Sequence, residues 1–241
     1  FLGLLLSFVM GVVYFLTRSN FLCFTRHGLS VKEAFRSMIN GTSEFVNQLA
    51  IAITTVVFNR SALIFAGENG VAAVSIIMYL QFLCIGIYFG FSMGLSTPLG
   101  YAYGDGNFSV CRVLEKYAYR FFAIAPIILY GCTYLLAPIG VLFFASPGST
   151  VFDIAVSGLR LYGLGFLFSG INIFAAIRMM TYGKGYISGM ITFLRSFALL
   201  LLFLTILPRF LELNGIWLAV PAAEILTLVV ALWTLRKKTV A

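Results

Sequence analysis

The stretch that decides the fold is NGIWLAVPAAEILTLVVALW, residues 214–233, which carries a single charge. A helix of about twenty residues is roughly 30 Å long, which is the thickness of the hydrocarbon core of a bilayer. Of the 241 residues, 61% are apolar and only 10% are charged, whereas soluble domains carry about 25% charged residues. The composition therefore predicts an all-α membrane protein and excludes a soluble enzyme, a nucleic-acid-binding module and a secreted disulfide scaffold.

Apolar runs of this kind recur along the chain and predict about seven transmembrane helices. We expect them near residues 1–16, 37–65, 71–97, 114–143, 151–180, 186–207 and 215–235. Three parts follow, namely the last helix of a preceding lobe (1–17), a basic cytoplasmic linker (18–36) and a C-terminal six-helix lobe (37–241). Such a lobe is typical of one half of a twelve-helix inverted or duplicated transporter, so we expect the chain to be the C-terminal part of a longer protein.

Basic residues outnumber acidic ones by 16 to 8, and they collect in alternate connections and the tail. These residues are Arg18, Arg26, Lys32, Arg36, Arg112, Lys116, Lys184 near Arg178, Arg236, Lys237 and Lys238. Because basic residues concentrate in cytoplasmic loops of membrane proteins, the C-terminus is predicted to be cytoplasmic. The excess of basic residues is therefore accounted for by loops on the cytoplasmic side of a membrane. It does not indicate a nucleic-acid partner, and none is predicted.

The second helix carries a polar stripe within an apolar sequence. Glu44, Gln48, Thr55 and Asn59 follow one another at offsets of four, seven and four, which places them on one helical face. Such a stripe either lines a water-filled cavity, with Glu44 binding an ion or proton, or forms hydrogen bonds between helices. Because Glu44 is only eight residues from Arg36, a solvated position at the interface is the third interpretation.

Two helices near the C-terminus also contain ionisable residues. Glu224 follows Pro221, which frees a backbone carbonyl in the preceding turn. This carboxylate either binds a proton or pairs with a cation such as Arg195, and Arg195 either pairs with one of the two acids or extends towards the cytoplasmic face. Asn172 lies in GINIF (170–174) of the helix predicted at residues 151–180, and a role in packing is expected for it.

Small residues mark a close approach in the third helix. Gly86, Gly90 and Gly94 recur every four residues, which predicts that a neighbouring helix packs against them.

Several motifs of energy-converting or catalytic proteins are absent from the sequence. It contains no GxxxxGK[ST] phosphate-binding loop, no HExxH, and only one His. Its four Cys are far apart, so they encode neither a metal site nor a disulfide framework. We therefore predict no catalytic residue, no metal and no cofactor. An energised function would depend on an ion gradient or on a separate subunit.

Three segments together resemble the multidrug and toxic compound extrusion (MATE) transporters. Residues 40–80 resemble the opening helix pair of the second lobe, with Gly41 and Glu44 matching the Gly-x-x-Glu pattern of a bacterial branch. YAYGDGNFSVCRVLEKYAYRF (101–121) resembles the loop entering the ninth helix, and LNGIWLAVPAAEILTLVVALW (213–233) resembles the final helix. Where some members carry an acid in the tenth helix, this chain has Asn172, so the resemblance makes Asn172 a candidate for ion binding.

The resemblance implies an activity and its partners. The chain would be the C-terminal lobe of a secondary-active antiporter of the bacterial inner membrane, which exports cationic or amphipathic organic compounds in exchange for Na⁺ or H⁺ and works with an N-terminal lobe. Two alternatives stay open. One is a lipid-linked oligosaccharide flippase of the same superfamily, with a cavity lined by cations, and the other is a non-transporting membrane scaffold subunit.

The loop charges predict a topology that thiol labelling can check in a variant lacking the native cysteines. Asn69→Cys and Ser146→Cys are expected to react with an impermeant reagent added to intact cells, because their connections are predicted to be outside. Asn107→Cys and Gly185→Cys are expected to react only after the cells are permeabilised. The reverse pattern would overturn the orientation.

Overall fold

The computed structural model describes the backbone of residues 2–17 and 30–236, and the side chains of residues 3–14, 30 and 49–235. Within these ranges the chain is almost entirely helical and contains no β-strand. It divides into two compact units, residues 1–45 and 46–241. The predicted all-α membrane class is therefore confirmed.

The first unit contains helix α1 (Leu2–Thr17) and the beginning of helix α2. Helix α1 agrees with the first predicted span, and its apolar side chains, such as Leu4 and Phe8, are largely exposed. Residues 18–29, which make up most of the predicted basic linker, lie outside the described part of the chain.

The second unit contains the remaining helices, and two long apolar segments change helix type part-way. In chain order they are α2 (Val31–Gly104), α3 (Phe108–Leu142), α4 (Thr150–Tyr162), α5 (Phe166–Thr181), α6 (Gly185–Phe193), α7 (Leu199–Ile206) and α8 (Pro208–Arg236). A 3₁₀ turn, Gly163–Gly165, joins α4 to α5, and a π-helical segment, Leu194–Ala198, joins α6 to α7. Each joined pair therefore forms one continuous transmembrane segment.

Among the described residues, five helical segments are long and apolar enough to cross a membrane. The first of them, Leu49–Gly104, has 56 residues and so measures about 84 Å, more than twice the thickness of the hydrocarbon core. It is interrupted at Gly67, whose φ of 60° and ψ of −151° are not helical. This segment is long enough for two crossings and each of the other four for one, so the helices of the second unit are long enough for the six predicted spans.

The ends of two predicted helices differ from the structure. The predicted gap between residues 65 and 71 shrinks to the single residue Gly67, because glycine reaches a positive φ without a Cβ clash. Helix α8 begins at Pro208 and is interrupted at Glu212, whose φ of 49° and ψ of −129° are not helical. The predicted start at residue 215 lies just after this kink, and the proline and two charges of residues 208–214 come before or at it.

The core of the second unit is built around Trp217, which is fully buried. Its ring lies 6.1 Å from that of Phe58, so α2 and α8 meet there. A Cβ added at Gly158 would lie 2.8 Å from both the Trp217 ring and the end of Ile77. Helix α4 therefore approaches α2 and α8 closely only because this position has no side chain.

The prediction of close packing at Gly86, Gly90 and Gly94 is wrong within the described chain. A Cβ at any of the three would meet nothing within 4 Å. Tyr88, on the opposite face of the same helix, is fully buried and donates to the carbonyl of Phe166 at 2.9 Å. The helix face that carries Tyr88 lies against the core, so the opposite face, which carries the three glycines, points away from the core.

Replacing Gly158 tests how tightly the core is packed. Gly158→Ala is expected to lower the free energy of unfolding by about 1–3 kcal/mol, because the new methyl group overlaps Trp217 and Ile77. Thermal unfolding in detergent measures the change. Gly189→Ala in α6, where nothing lies within 4 Å, is the matched control and should be neutral or slightly stabilising. Equal melting temperatures for the two variants would contradict the close approach.

Candidate polar site inside the helix bundle

Three of the residues predicted from sequence lie together in the second unit. Asn172 is in the middle of α5, Arg195 is in the π-helical segment, and Glu224 is one turn after Pro221 in α8. π-Helical turns are rare and occur frequently at functional sites. We call Asn172, Arg195 and Glu224 the polar triad.

Hydrogen bonds join the three side chains through the carboxylate. Arg195 donates from Nη2 to Glu224 Oε1 at 2.6 Å, and from Nε to the same oxygen at 3.2 Å. Asn172 Nδ2 donates to Glu224 Oε2 at 2.7 Å and to the Glu224 backbone carbonyl at 2.9 Å. Both carboxylate oxygens are therefore occupied, and three transmembrane segments are connected at one point.

The polar triad is buried and electrically balanced. Glu224 is 4% exposed and Asn172 is fully buried, while the Arg195 side chain is 13% exposed. Because a buried carboxylate is costly without a partner, Arg195 acts as a tethered counter-ion. A proton or an external cation reaches Glu224 only by competing with Arg195. Asn172 Oδ1 has no partner among the described residues and is free to accept one bond.

Helix α2 reaches the π-helical segment through a residue that sequence reasoning missed. Thr54 is buried, and its hydroxyl shares its hydrogen between the carbonyl of Ala50 at 2.8 Å and that of Ser196 at 3.2 Å. Ser196 directly follows Arg195, so Thr54 links α2 to the polar triad. Thr54 is the residue before Thr55, which was the predicted site residue. Sequence alone could not show which of the two threonines faces the π-helical segment, because this depends on how α2 packs.

The polar stripe of α2 is partly described. Thr55 is half-buried and its hydroxyl donates to the Ile51 carbonyl of its own helix at 2.9 Å. Asn59 is half-buried, and its Oδ1 has no partner within the described part of the chain. The side chains of Glu44 and Gln48 lie outside the described residues. A role in ion or substrate binding stays a prediction for all seven predicted site residues.

A second buried ion pair joins α3 to α5 and was also missed. Arg178 Nε donates to Glu115 Oε1 at 2.5 Å, and the Tyr182 hydroxyl donates to the same oxygen at 2.6 Å. Arg178 is 3% exposed, so counting it with the loop cations was wrong. Burial raises the pKa of Tyr182, as does its bond to Glu115, so the phenol keeps its proton at physiological pH.

The sequence matches a known protein family, and the fold matches known structures. The family model MatE matches residues 43–207, which is more than half of the chain. The chain belongs to the MatE family. This assignment confirms the MATE resemblance and makes the chain a multi-pass membrane protein of a transporter family. No curated protein sequence matches it.

Solved structures show the same fold at low sequence identity. The outward-facing conformation of a multidrug resistance MATE family transporter of the MOP superfamily has 21% identity and a TM-score of 0.79, and covers 97% of this chain and 53% of its own. An inward-facing conformation has 21% identity and a TM-score of 0.81, with coverages of 95% and 53%. A MOP superfamily transporter from Pyrococcus furiosus has 20% identity and a TM-score of 0.78, again with coverages of 95% and 53%.

These matches also fix how much of a MATE transporter the chain represents. It spans about half the length of the structures that it matches. The fold of this half is found in both an outward-facing and an inward-facing structure.

A double-mutant cycle tests the polar triad as a stabilising unit. Arg195→Met is expected to destabilise the second unit by about 3–5 kcal/mol, because it leaves the Glu224 charge buried without a partner. Adding Glu224→Gln removes that charge and keeps an oxygen for Asn172, so the double variant should recover most of the loss. Thermal unfolding in detergent measures both.

The matched control is Arg209→Met, since Arg209 is exposed and forms no ion pair among the described residues. A surface change of this kind is expected to alter stability by less than about 0.5 kcal/mol. Additive losses in the Arg195→Met, Glu224→Gln and double variants would show that the two side chains do not stabilise the fold through their mutual interaction.

Proposed function

We propose that the chain works as the C-terminal lobe of a secondary-active efflux antiporter in the bacterial inner membrane. It exports cationic or amphipathic organic compounds in exchange for Na⁺ or H⁺ and acts together with an N-terminal lobe. Membership of the MatE family and a length of about half that of the matched transporters support this proposal. The C-terminus is cytoplasmic in this proposal, and no catalytic residue or organic cofactor takes part.

The observation that carries the proposal is the pairing of two interior arginines, Arg178 and Arg195. Each is bonded to a carboxylate, those of Glu115 and Glu224, which neutralises its charge, and only Nη1 of Arg178 is buried without a hydrogen-bond partner among the described residues. Arg160 of α4 is half-buried and forms no ion pair in the described part of the chain, but its guanidinium lies over an aromatic ring. A flippase for lipid-linked oligosaccharides would need unpaired cations facing its cavity, so this arrangement favours a cationic or amphipathic cargo instead.

In this proposal Glu44 is the residue that couples the two fluxes. A carboxylate in the membrane is costly when charged, so it alternates between the coupling ion and the cationic compound. Gln48, Thr55 and Asn59 follow on the same predicted helical face and would supply neutral polar groups further along the helix. The unpartnered Oδ1 of Asn59 suits this role, since a carbonyl oxygen accepts bonds from ammonium groups and coordinates Na⁺.

The polar triad supplies the second element of the mechanism. Its bonds fasten α5, the π-helical segment and α8 to one another. Alternating access in two-lobed transporters moves one repeat against the other around a fixed site. In this proposal, a lobe whose helices are joined in this way moves as one body. Asn172 Oδ1 and Glu224 would receive an ion when Arg195 is displaced.

Neutralising Glu44 tests the proposal in proteoliposomes that contain both lobes. Glu44→Gln keeps the shape and removes the charge, so gradient-driven export of a cationic dye is expected to fall to background while folded yield persists. Glu33→Gln, at an acid near the start of the same helix, is the matched control and should transport normally. Glu224→Gln should instead lower folded yield.

Three outcomes would contradict the proposal. Normal export and unchanged pH dependence in Glu44→Gln would place the coupling site elsewhere. The absence of any gradient-driven export from the unaltered two-lobed protein would favour a scaffold subunit. Export by this chain reconstituted alone would indicate a homodimeric pore, because one lobe provides only one wall of a cavity.

A further inference from the structure

Helix α3 carries three cations whose charge nothing in the described chain compensates. Arg112, Lys116 and Arg120 are all exposed and follow one another every four residues, so they form one row on the helix surface. The two ion pairs of the described residues, Glu115–Arg178 and Glu224–Arg195, include none of them. We call Arg112, Lys116 and Arg120 the basic row.

The acid nearest in sequence to the basic row is already neutralised. Glu115 is turned towards α5, where Arg178 and the hydroxyl of Tyr182 occupy its Oε1. Its side chain is only 13% exposed. The helix therefore separates its charges, with the carboxylate paired on the inner side and the three cations on the outer side.

The apolar part of α3 fixes the depth of the basic row in a membrane. Residues 121–142 contain no charged side chain and end at the last residue of the helix. These twenty-two residues measure about 33 Å, which is one crossing of the hydrocarbon core. Arg120 therefore lies at the edge of the hydrocarbon, Lys116 about 6 Å further out, and Arg112 about 12 Å further out.

This depth is the layer of the phospholipid headgroups. Exposed tyrosines flank the basic row, with Tyr117 at 59% and Tyr119 at 37%, as is usual where membrane helices cross the interface. Guanidinium groups bind phosphate with charge-assisted hydrogen bonds, and cations beside a membrane helix attract anionic lipids. A row of cations in this layer therefore has phosphate groups within its reach.

We propose that the basic row of α3 binds anionic phospholipid headgroups of the bilayer, such as phosphatidylglycerol. The cations contact the phosphates while the apolar surface of residues 121–142 contacts the acyl chains. Binding of this kind weakens as ionic strength rises, because exposed charges are screened. The proposal concerns only the outer surface of α3, so it stands whether or not the chain takes part in antiport.

Competition between two lipids tests the inference. The purified protein is incubated with equal amounts of phosphatidylglycerol and phosphatidylcholine, and native mass spectrometry counts the lipids that stay bound. The unaltered protein is expected to prefer phosphatidylglycerol. In Arg112→Gln/Lys116→Gln/Arg120→Gln that preference should fall by at least about fivefold, the effect of a single cation near an anionic surface. Thermal unfolding should lose its stabilisation by phosphatidylglycerol in the same variant.

The control variant is Arg60→Gln, which removes an exposed cation outside the basic row. It should keep the lipid preference. An unchanged preference in the triple variant, or an equal loss in the control, would overturn the inference. Soluble glycerol phosphate that stabilises the protein as strongly as phosphatidylglycerol would also overturn it, since the site would then bind free phosphate and not the bilayer.

Discussion

A carboxylate enclosed by apolar helices needs a cation and hydrogen-bond donors beside it, and the second unit is organised around meeting that need at Glu224. Arg195 supplies the charge and Asn172 supplies a donor to the other oxygen. Each partner comes from a different transmembrane segment, so satisfying one side chain fixes three segments relative to one another. The hydrophobic packing around Trp217 then fills the space between them.

The need of a buried charge for a partner also explains the second ion pair, which lies near the C-terminal end of α5. Arg178 is buried near the end of that helix and meets Glu115 of α3. Helix α5 thus contributes to both buried carboxylates, by a hydrogen bond from the neutral amide of Asn172 in its middle and by the ion pair of Arg178 in its last turn. Pairing of this kind fixes registry as well as position, because a helix displaced by one turn would leave a buried charge without its partner.

Much of this fold could be predicted from hydropathy, since an apolar run long enough to cross a bilayer has few alternatives to a helix. The pairing of Arg195 with Glu224 was one of two possibilities open from sequence. Thr54, Glu115 and the orientation of Gly86, Gly90 and Gly94 could not be predicted, because they depend on which helix faces which. Periodicity places residues on a face but does not say what that face contacts.

The π-helical segment has a consequence for how this family is compared. A π turn contains one residue more than an α turn. Each residue of α7 therefore takes the position around the helix axis that the residue before it would have in an uninterrupted α-helix. Residues 185–193 and 199–206 therefore belong to two different helical wheels, about 100° apart. An alignment with a relative that lacks the wide turn needs a one-residue gap inside a transmembrane helix, and a gap placed in the loops would assign every residue of α7 to the wrong face.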